Sequence, residues 1–485
     1  MKNIAIIDCE SQGASTSYSK IISISGILVS QDSLEILDKF NLFCKIEVSS
    51  GYIPDPYALL VNRGLKKMQH TNTSWYEMMK NLHSYIEQWR PCIWASWNGI
   101  SFDYVIISKN NMQSLMPIYA TNTEGNEHSD FLPVARASKI IYPNSFQTNY
   151  SAKKNPIFKL DDLGPKNFPE IDKNLYHSAA TDCEITLKIM RKIKENAKPI
   201  FDSALMTTSK INAKKLMEEN KIFTTLFYFY GKARPACVFY WFDHKIFNWP
   251  MVYILEKSPE DLMNLDYKSL KQSMTKPGKW IRALPLKHPI ILNASYCLKY
   301  EPFNMIGMQK LLDRRNYILD NKQFTENVSR AVAEIAEEKQ DKKNQTIDLN
   351  PHDQLYAGGF EGINRDKPVM KDFQNSNSWE EKYKIISHLT DPRFIFFGKR
   401  LIYQNAPHLL PKKELYEIED DIAHKVLSLE ETRWTTIPMA EQLIDNMREQ
   451  KNLTEEELNY INEINAHIKD LRNYWEPILN RKRVA

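Results

Sequence analysis

The chain has 485 residues and a formal net charge of +4, with 42% apolar and 26% charged residues, an ordinary globular composition with room for about three domains at roughly 150 residues each. Its 14 glycines, ~3% against a usual ~7%, form no GxGxxG or GxxxxGK[ST] arrangement, which excludes a dinucleotide fingerprint and a P-loop and leaves phosphate handling to metal ions or basic side chains. Six scattered cysteines, Cys9, Cys44, Cys92, Cys183, Cys237 and Cys297, exclude CxxC-type zinc or redox motifs and a disulfide framework, and fit a reducing cytoplasm.

Residues 1–196 read as α/β. Strands are predicted over 3–8, 21–28, 41–48 and 92–97, with a helix starting at Asp103. The N-terminus runs straight into the first strand and does not read as a leader. The segment 142–156 is polar and Asn/Ser/Lys-rich, a mobile loop. A helix over 178–195 is marked by Ile185, Ile189 and Ile193 at i, i+4 spacing. Residues 197–347 change character. Aromatic and β-branched residues crowd 223–242, and Gly231-Lys232-Ala233-Arg234-Pro235 interrupts them like a turn, which predicts a hairpin of a small β-domain. Ser258-Pro259-Glu260-Asp261 carries a Ser cap with Pro at the first helical position. The charged run 337–345 predicts a helix end and a linker. Residues 348–485 are mostly helical, with a capping box at Thr454 and Glu457 and with Pro407, Pro411 and Pro438 separating the pieces. No stretch approaches 18 apolar residues, so no membrane span is expected. The three predicted domains, 1–196, 197–347 and 348–485, carry net charges of +1, +8 and −5, and the basic middle suggests a polyanionic partner.

Three constellations carry chemistry. Asp8-Cys9-Glu10 ends the first strand, and the period of two puts both carboxylates on one face, where they repel unless protonated or metal-bound. Magnesium accepts such oxygen ligands. Trp97-Asn98-Gly99-Ile100-Ser101-Phe102-Asp103 leaves a strand through a polar turn, and Asp103 opens a helix. His177-Ser178-Ala179-Ala180-Thr181-Asp182 places a histidine before a helix and an acid in its first turn. Each has a bland alternative on its own, such as an acid complementing a helix dipole.

Taken in order within one α/β domain, strand-DxE, turn-FD and helix-HxAxxD resemble the DEDDh family of 3′→5′ exonucleases, which have an RNase H-like fold. The resemblance implies that Asp8, Glu10, Asp103 and Asp182 hold two Mg²⁺ ions, for which Mn²⁺ can substitute, and that His177 is the general base. The likeness extends to the bacterial exonuclease I branch. Tyr52-Ile53-Pro54-Asp55-Pro56 with Asn62-Arg63-Gly64-Leu65, then Asp130-Phe131-Leu132-Pro133-Val134-Ala135-Arg136-Ala137, are similar to segments of that branch. Late in the chain so are Asp353-Gln354-Leu355-Tyr356-Ala357-Gly358-Gly359-Phe360 and Lys399-Arg400-Leu401-Ile402-Tyr403-Gln404-Asn405-Ala406-Pro407. Ser11, Arg63, Pro133 and Ser178 depart from its pattern.

That resemblance implies an exonuclease domain with a mixed sheet, then a Src-homology-3-like β-rich domain and a C-terminal helical domain that close a groove on single-stranded DNA. Hydrolysis from the 3′ end would release nucleoside 5′-monophosphates. Ser11, Asn98, Phe102, Lys232 and Arg234 are candidate strand contacts. The tail of single-stranded DNA-binding protein is a candidate partner, with Lys310, Arg314 and Arg315 in a plausible region, and a monomer is expected. An RNA 3′-exonuclease using the same five residues and a non-catalytic single-strand-binding protein are the alternatives.

Overall fold

The computed structural model describes residues 2–172, 176–229, 232–275, 279–285, 289–343, 350–355, 359–450 and 453–481. Tyr230, Gly231, the side chain of Lys232 and residues 356–358 lie outside them. The chain divides into two compact units: Met1–Asn126, Lys173–Glu184 and Leu349–Ala485 form the first, Glu127–Asp172 and Ile185–Asp348 the second.

In the first unit, strands β1 (Asn3–Ser11), β2 (Ile21–Val29), β3 (Ile36–Phe43) and β4 (Cys92–Ser96) run in the order β3-β2-β1-β4. β1 is antiparallel to β2 and parallel to β4, so the sheet is mixed. β2 is buried along its whole length and reads as a continuous Ile-rich run, as a strand covered on both faces should. The β1–β2 register sets Asp8 opposite Ser25 and Glu10 opposite Ser23. The β1–β4 pairing runs only from Asn3↔Cys92 to Ile6↔Ala95, which leaves the last residues of β1 open on that side.

β3 is displaced from its expected place, 41–48. Ile36 and Leu37 are 42% and 54% exposed, so apolar content does not report burial on this edge strand. Cys44 and Ile46 are buried beyond its end, where only an isolated bridge joins Lys45 to Ser74. Helices Pro56–Asn62, Gly64–Gln69, Trp75–Trp89 and Asp103–Gln113 follow in this unit, with Glu361–Asn375, Pro392–Asn405, Lys412–Val426, Ile437–Arg448 and Glu455–Leu479 among its C-terminal helices. One apolar core joins Trp94 and Leu59 from the N-terminal part to Phe394, Ile461 and Trp475 from the C-terminal part. The capping box at Thr454 and Glu457 is formed.

The second unit has its own core. Short β5 (Glu127–Asp130) precedes a helix Phe131–Ile141. Strands β6 (Phe223–Phe229), β7 (Lys232–Asp243), β8 (Pro250–Ile254), β9 (Ile281–Ala283) and β10 (Leu292–Asn293) form an antiparallel sheet ordered β10-β6-β7-β8-β9. This antiparallel sheet is the small β-rich module expected within 197–347. The predicted turn is shorter than 231–235, because β7 already begins at Lys232 and pairs with Phe229. Pro235 is tolerated inside β7 since β8 pairs only with Val238 and beyond, so no ladder bond is asked of the missing N–H on that side. Ser258 does precede the helix Pro259–Met263, but its hydroxyl turns to Glu260 and caps no backbone N–H. The segment 142–156 is tied by Thr148 Oγ1 to the Ile157 carbonyl at 2.5 Å and by a Tyr150–Pro156 bridge. No helix among the described residues is long and apolar enough to cross a membrane.

Candidate active site

The carboxylates gather at the C-terminal end of β1. Asp8, Glu10 and Asp182 each offer an oxygen, and these atoms lie within 4.8 Å of one another. β1 alternation supplies the first two. Asp182 comes from the first turn of the helix Ala179–Asn196, which Ser178 caps: its hydroxyl accepts from Thr181 N at 3.3 Å. The residue that departs from the resembled pattern thus has a structural task of its own.

Asp103 stands beside this trio and is held from the opposite side. Ser96 Oγ donates to its Oδ2 at 2.7 Å, while Cys9 N and Sγ donate to its Oδ1 at 3.3 and 3.2 Å. The Cys9 N–H is available because β4 pairs with β1 only as far as Ile6. Gly99 makes the approach possible. A Cβ there would meet the Ser96 Cβ at 2.6 Å and displace the donor that fixes Asp103.

Burial raises every one of these acids whose shift is resolved, and like charge adds to it at Asp8 and Glu10. Burial pushes Asp8 well above the usual carboxylate range, and the charges of Asp103, Asp182 and Glu10 add to it. Glu10 is pushed up to about 8, chiefly by burial, against the opposing Lys67 ammonium and an Asn62 hydrogen bond. Asp103 is raised by burial, less so because Ser96 and Cys9 support its charged form. Hard oxygen donors crowded at this spacing fit a divalent cation, which would relieve the repulsion that otherwise favours protonation.

His177 adjoins the site in a left-handed conformation, φ 60°, and its carbonyl lies 3.5 Å from Lys67 Nζ. Lys67 was not singled out from the sequence. It sits on Gly64–Gln69, and its ammonium feels Glu10, Asp182 and Asp8 while burial lowers its pKa. Asn62 opens the segment Asn62-Arg63-Gly64-Leu65. Its Nδ2 donates to the Ser11 carbonyl at 3.0 Å, and its Oδ1 accepts from Gly64 N at 2.9 Å. The segment after it is pinned by the C-terminal helix. Tyr460 Oη accepts from Leu65 N at 3.0 Å, and Arg63 and Lys66 lie 4.9 and 5.2 Å from that ring's centroid.

The other candidates are dispersed. Ser11 is buried and its hydroxyl donates to the Gly13 carbonyl at 2.7 Å. Asn98 is exposed with φ 68°. Phe102 is half-buried against the core of the first unit, directly before Asp103. Arg234 is exposed in the second unit and paired with Glu256 at 3.0 Å. The Lys232 side chain lies outside the described residues. Arg314 donates to the Leu255 and Glu256 carbonyls at 2.7 and 2.9 Å.

Residues 5–190 match the sequence profile of the RNase_T family, described as exonuclease. Exodeoxyribonuclease I of Buchnera aphidicola subsp. Schizaphis graminum is 26% identical over 244 residues. That match spans 49% of this chain and 49% of the relative, about half the length of each. The fold is similar to E. coli Exonuclease I in complex with a dT13 oligonucleotide, with a TM-score of 0.77, 16% identity, and coverage of 97% of this chain and 100% of the other. It is also similar to an ExoI/SSB-Ct complex, with a TM-score of 0.73, 17% identity, and coverage of 99% and 100%.

Proposed function

We propose that this chain, whose residues 5–190 carry the domain of the exonuclease family, is a metal-dependent 3′→5′ exodeoxyribonuclease that trims single-stranded DNA to nucleoside 5′-monophosphates. The observation that carries the reading is the convergence of Asp8, Glu10 and Asp182 oxygens within 4.8 Å, with buried Asp103 beside them.

Asp8, Glu10 and Asp182 would hold divalent cations, with Asp103 completing the set; two Mg²⁺ ions are the proposed complement, with Mn²⁺ able to substitute. Bound there, the ions supply Lewis-acid polarisation of the scissile phosphate and neutralise developing charge. The protein's part is to fix the ligands. Ser96 and Cys9 orient Asp103, and Asn62 steadies Glu10. His177 would take the proton of the attacking water, a task suited to an imidazole at neutral pH. Lys67 adds positive charge where the phosphate oxygens must come. Ser11, Asn98, Phe102, Lys232 and Arg234 are proposed strand contacts.

The proposed domains are an exonuclease domain over 1–196, a Src-homology-3-like β-domain over 197–347 with the basic surplus, and a helical domain over 348–485. The chain would act as a cytoplasmic monomer in DNA repair and recombination. Its proposed partner is the C-terminal tail of single-stranded DNA-binding protein, a reading supported by the similar fold of the ExoI/SSB-Ct complex.

The test is a digest of 5′-labelled single-stranded DNA and of the matching RNA. DNA should shorten from its 3′ end only with Mg²⁺ or Mn²⁺, leaving 5′-monophosphates. Digestion in EDTA, attack from the 5′ end, or a preference for RNA would overturn the reading.

A further inference from the structure

The first unit also encloses a cavity of about 850 Å³, and none of Asp8, Glu10, Asp103, His177 and Asp182 lines it. This volume falls in the ~300–1,000 Å³ range of small-molecule sites. Three of its cations come from distant parts of the chain: Lys20 just ahead of β2, Arg400 in the helix Pro392–Asn405, and Lys425 in the helix Lys412–Val426; Arg433 also lines it. Lys20 is 3% exposed. Its ammonium donates to Gln113 Oε1 at 2.8 Å and lies 3.0 Å from the Trp75 ring centroid.

Lys425 is the more telling. Its ammonium stands 5.3, 5.6 and 5.3 Å from the ring centroids of Tyr18, Tyr52 and Trp434, and among the described residues no carboxylate or carbonyl accepts from it. Burial lowers its pKa to about 8, and Arg400 pushes the same way. The nearby acids are already engaged. Asp421 pairs with Arg400, and Asp353 accepts from Tyr18 Oη at 2.5 Å and pairs with Arg433 at 2.8 Å. Glu430 and Glu431 also line the cavity but are exposed.

His352 offers no countercharge. Its ring nitrogens contact Tyr52 Oη at 2.9 Å and Asn350 Oδ1 at 2.6 Å. Burial, then Lys425, Lys20, Arg400 and Lys109, hold its pKa well below the ordinary value. Buried charges are normally paired, and of the carboxylates that line the cavity Asp421 is taken by Arg400 while Glu430 and Glu431 are exposed, so none of them accepts from the Lys425 ammonium. Its walls are flat rings, with the amide of Gln404 and the hydroxyl of Ser50 among the lining groups.

We propose that this cavity is a nucleotide site separate from the carboxylate cluster, taking a nucleoside 5′-monophosphate with its phosphate toward Lys20, Arg400 and Lys425 and its base against Trp434 and Phe396. The aromatic walls favour a nucleotide over an acidic peptide, since every base has a face to stack. The choice of the monophosphate rests on the proposed reaction, whose product it is; the binding itself does not require that reaction.

The experiment is calorimetric titration of the full chain with dTMP in EDTA. Binding should appear with a Kd below ~1 mM, thymidine should not bind, and inorganic phosphate should bind at least ~10-fold more weakly. Asp8→Ala should leave the affinity unchanged, and Lys425→Gln should weaken it at least ~10-fold. Hydrogen exchange on the unmodified chain needs no variant: dTMP should slow exchange in the helices Pro392–Asn405 and Lys412–Val426. The proposal is overturned by absence of binding, loss of binding in Asp8→Ala, unchanged binding in folded Lys425→Gln, tighter binding of an acidic peptide than of dTMP, or protection confined to other segments. A chain that binds dTMP here yet does not cut DNA keeps the cavity and loses the nuclease reading.

Discussion

The carboxylate cluster and the cationic cavity occupy one compact unit, and each holds like charges that water would otherwise keep apart. Their construction differs. The acids project from the end of one strand and the first turns of two helices, two residues apart in the case of Asp8 and Glu10. The cations are brought together from positions 20, 400 and 425 by tertiary packing alone. Mutual repulsion also acts in opposite senses. It raises acids toward protonation and lowers a lysine toward neutrality, so the two regions answer pH from opposite ends.

The strongest way to separate them is Asp8→Ala. Turnover should fall by ~10³-fold or more, since the ligands act as a unit, while DNA binding in EDTA persists. Wild-type activity in that variant would detach the cluster from catalysis.

Metal-free stability should come next. Glu10 has a folded pKa of about 8 against an ordinary 4.5. The folded chain therefore binds more protons than the unfolded chain between those values, and stability falls as pH rises through that window. The loss should be of the order of several kcal/mol in EDTA melts, with added Mg²⁺ restoring most at the alkaline end. A profile independent of both pH and metal would contradict the reading of these acids. Ser96→Ala removes the 2.7 Å donor to buried Asp103 and should cost ~1–3 kcal/mol in chemical denaturation.

The cavity carries the opposite sign. Lys425 has a folded pKa of about 8 against 10.5. The unfolded chain binds more protons between these values, so this contribution to stability rises with pH there. Lys425→Met should flatten that rise by about 3 kcal/mol, measured by urea titration at successive pH values. Thr454→Ala is the smallest change and touches neither charge cluster. Loss of its capping box should cost ~1 kcal/mol with no change in metal response.

These contrasts explain what could be read from the chain. Asp8, Glu10, Asp103 and Asp182 each sit at the start or end of a local element, so their motifs could be matched in chain order to the resembled exonuclease family. β3 went astray because an edge strand can expose Ile36 and Leu37, which breaks the link between apolar content and register. Lys67 carries no local mark of its role, because a lysine on a short helix is ordinary until Glu10 is placed beside it. Lys20, Arg400 and Lys425 are separated by so much chain that no periodicity or motif connects them.

The bond from Leu65 N to Tyr460 Oη bears on how the protein can be divided. Tyr460 holds the segment that carries Lys67, and it lies far beyond the stretch matched by the exonuclease profile. A fragment ending at residue 196 would retain every proposed ligand and lose this brace, along with the C-terminal side chains of the shared core. The proposed ligands and the side chains that brace their surroundings are thus encoded at opposite ends of the chain, and the first half alone lacks part of its own core.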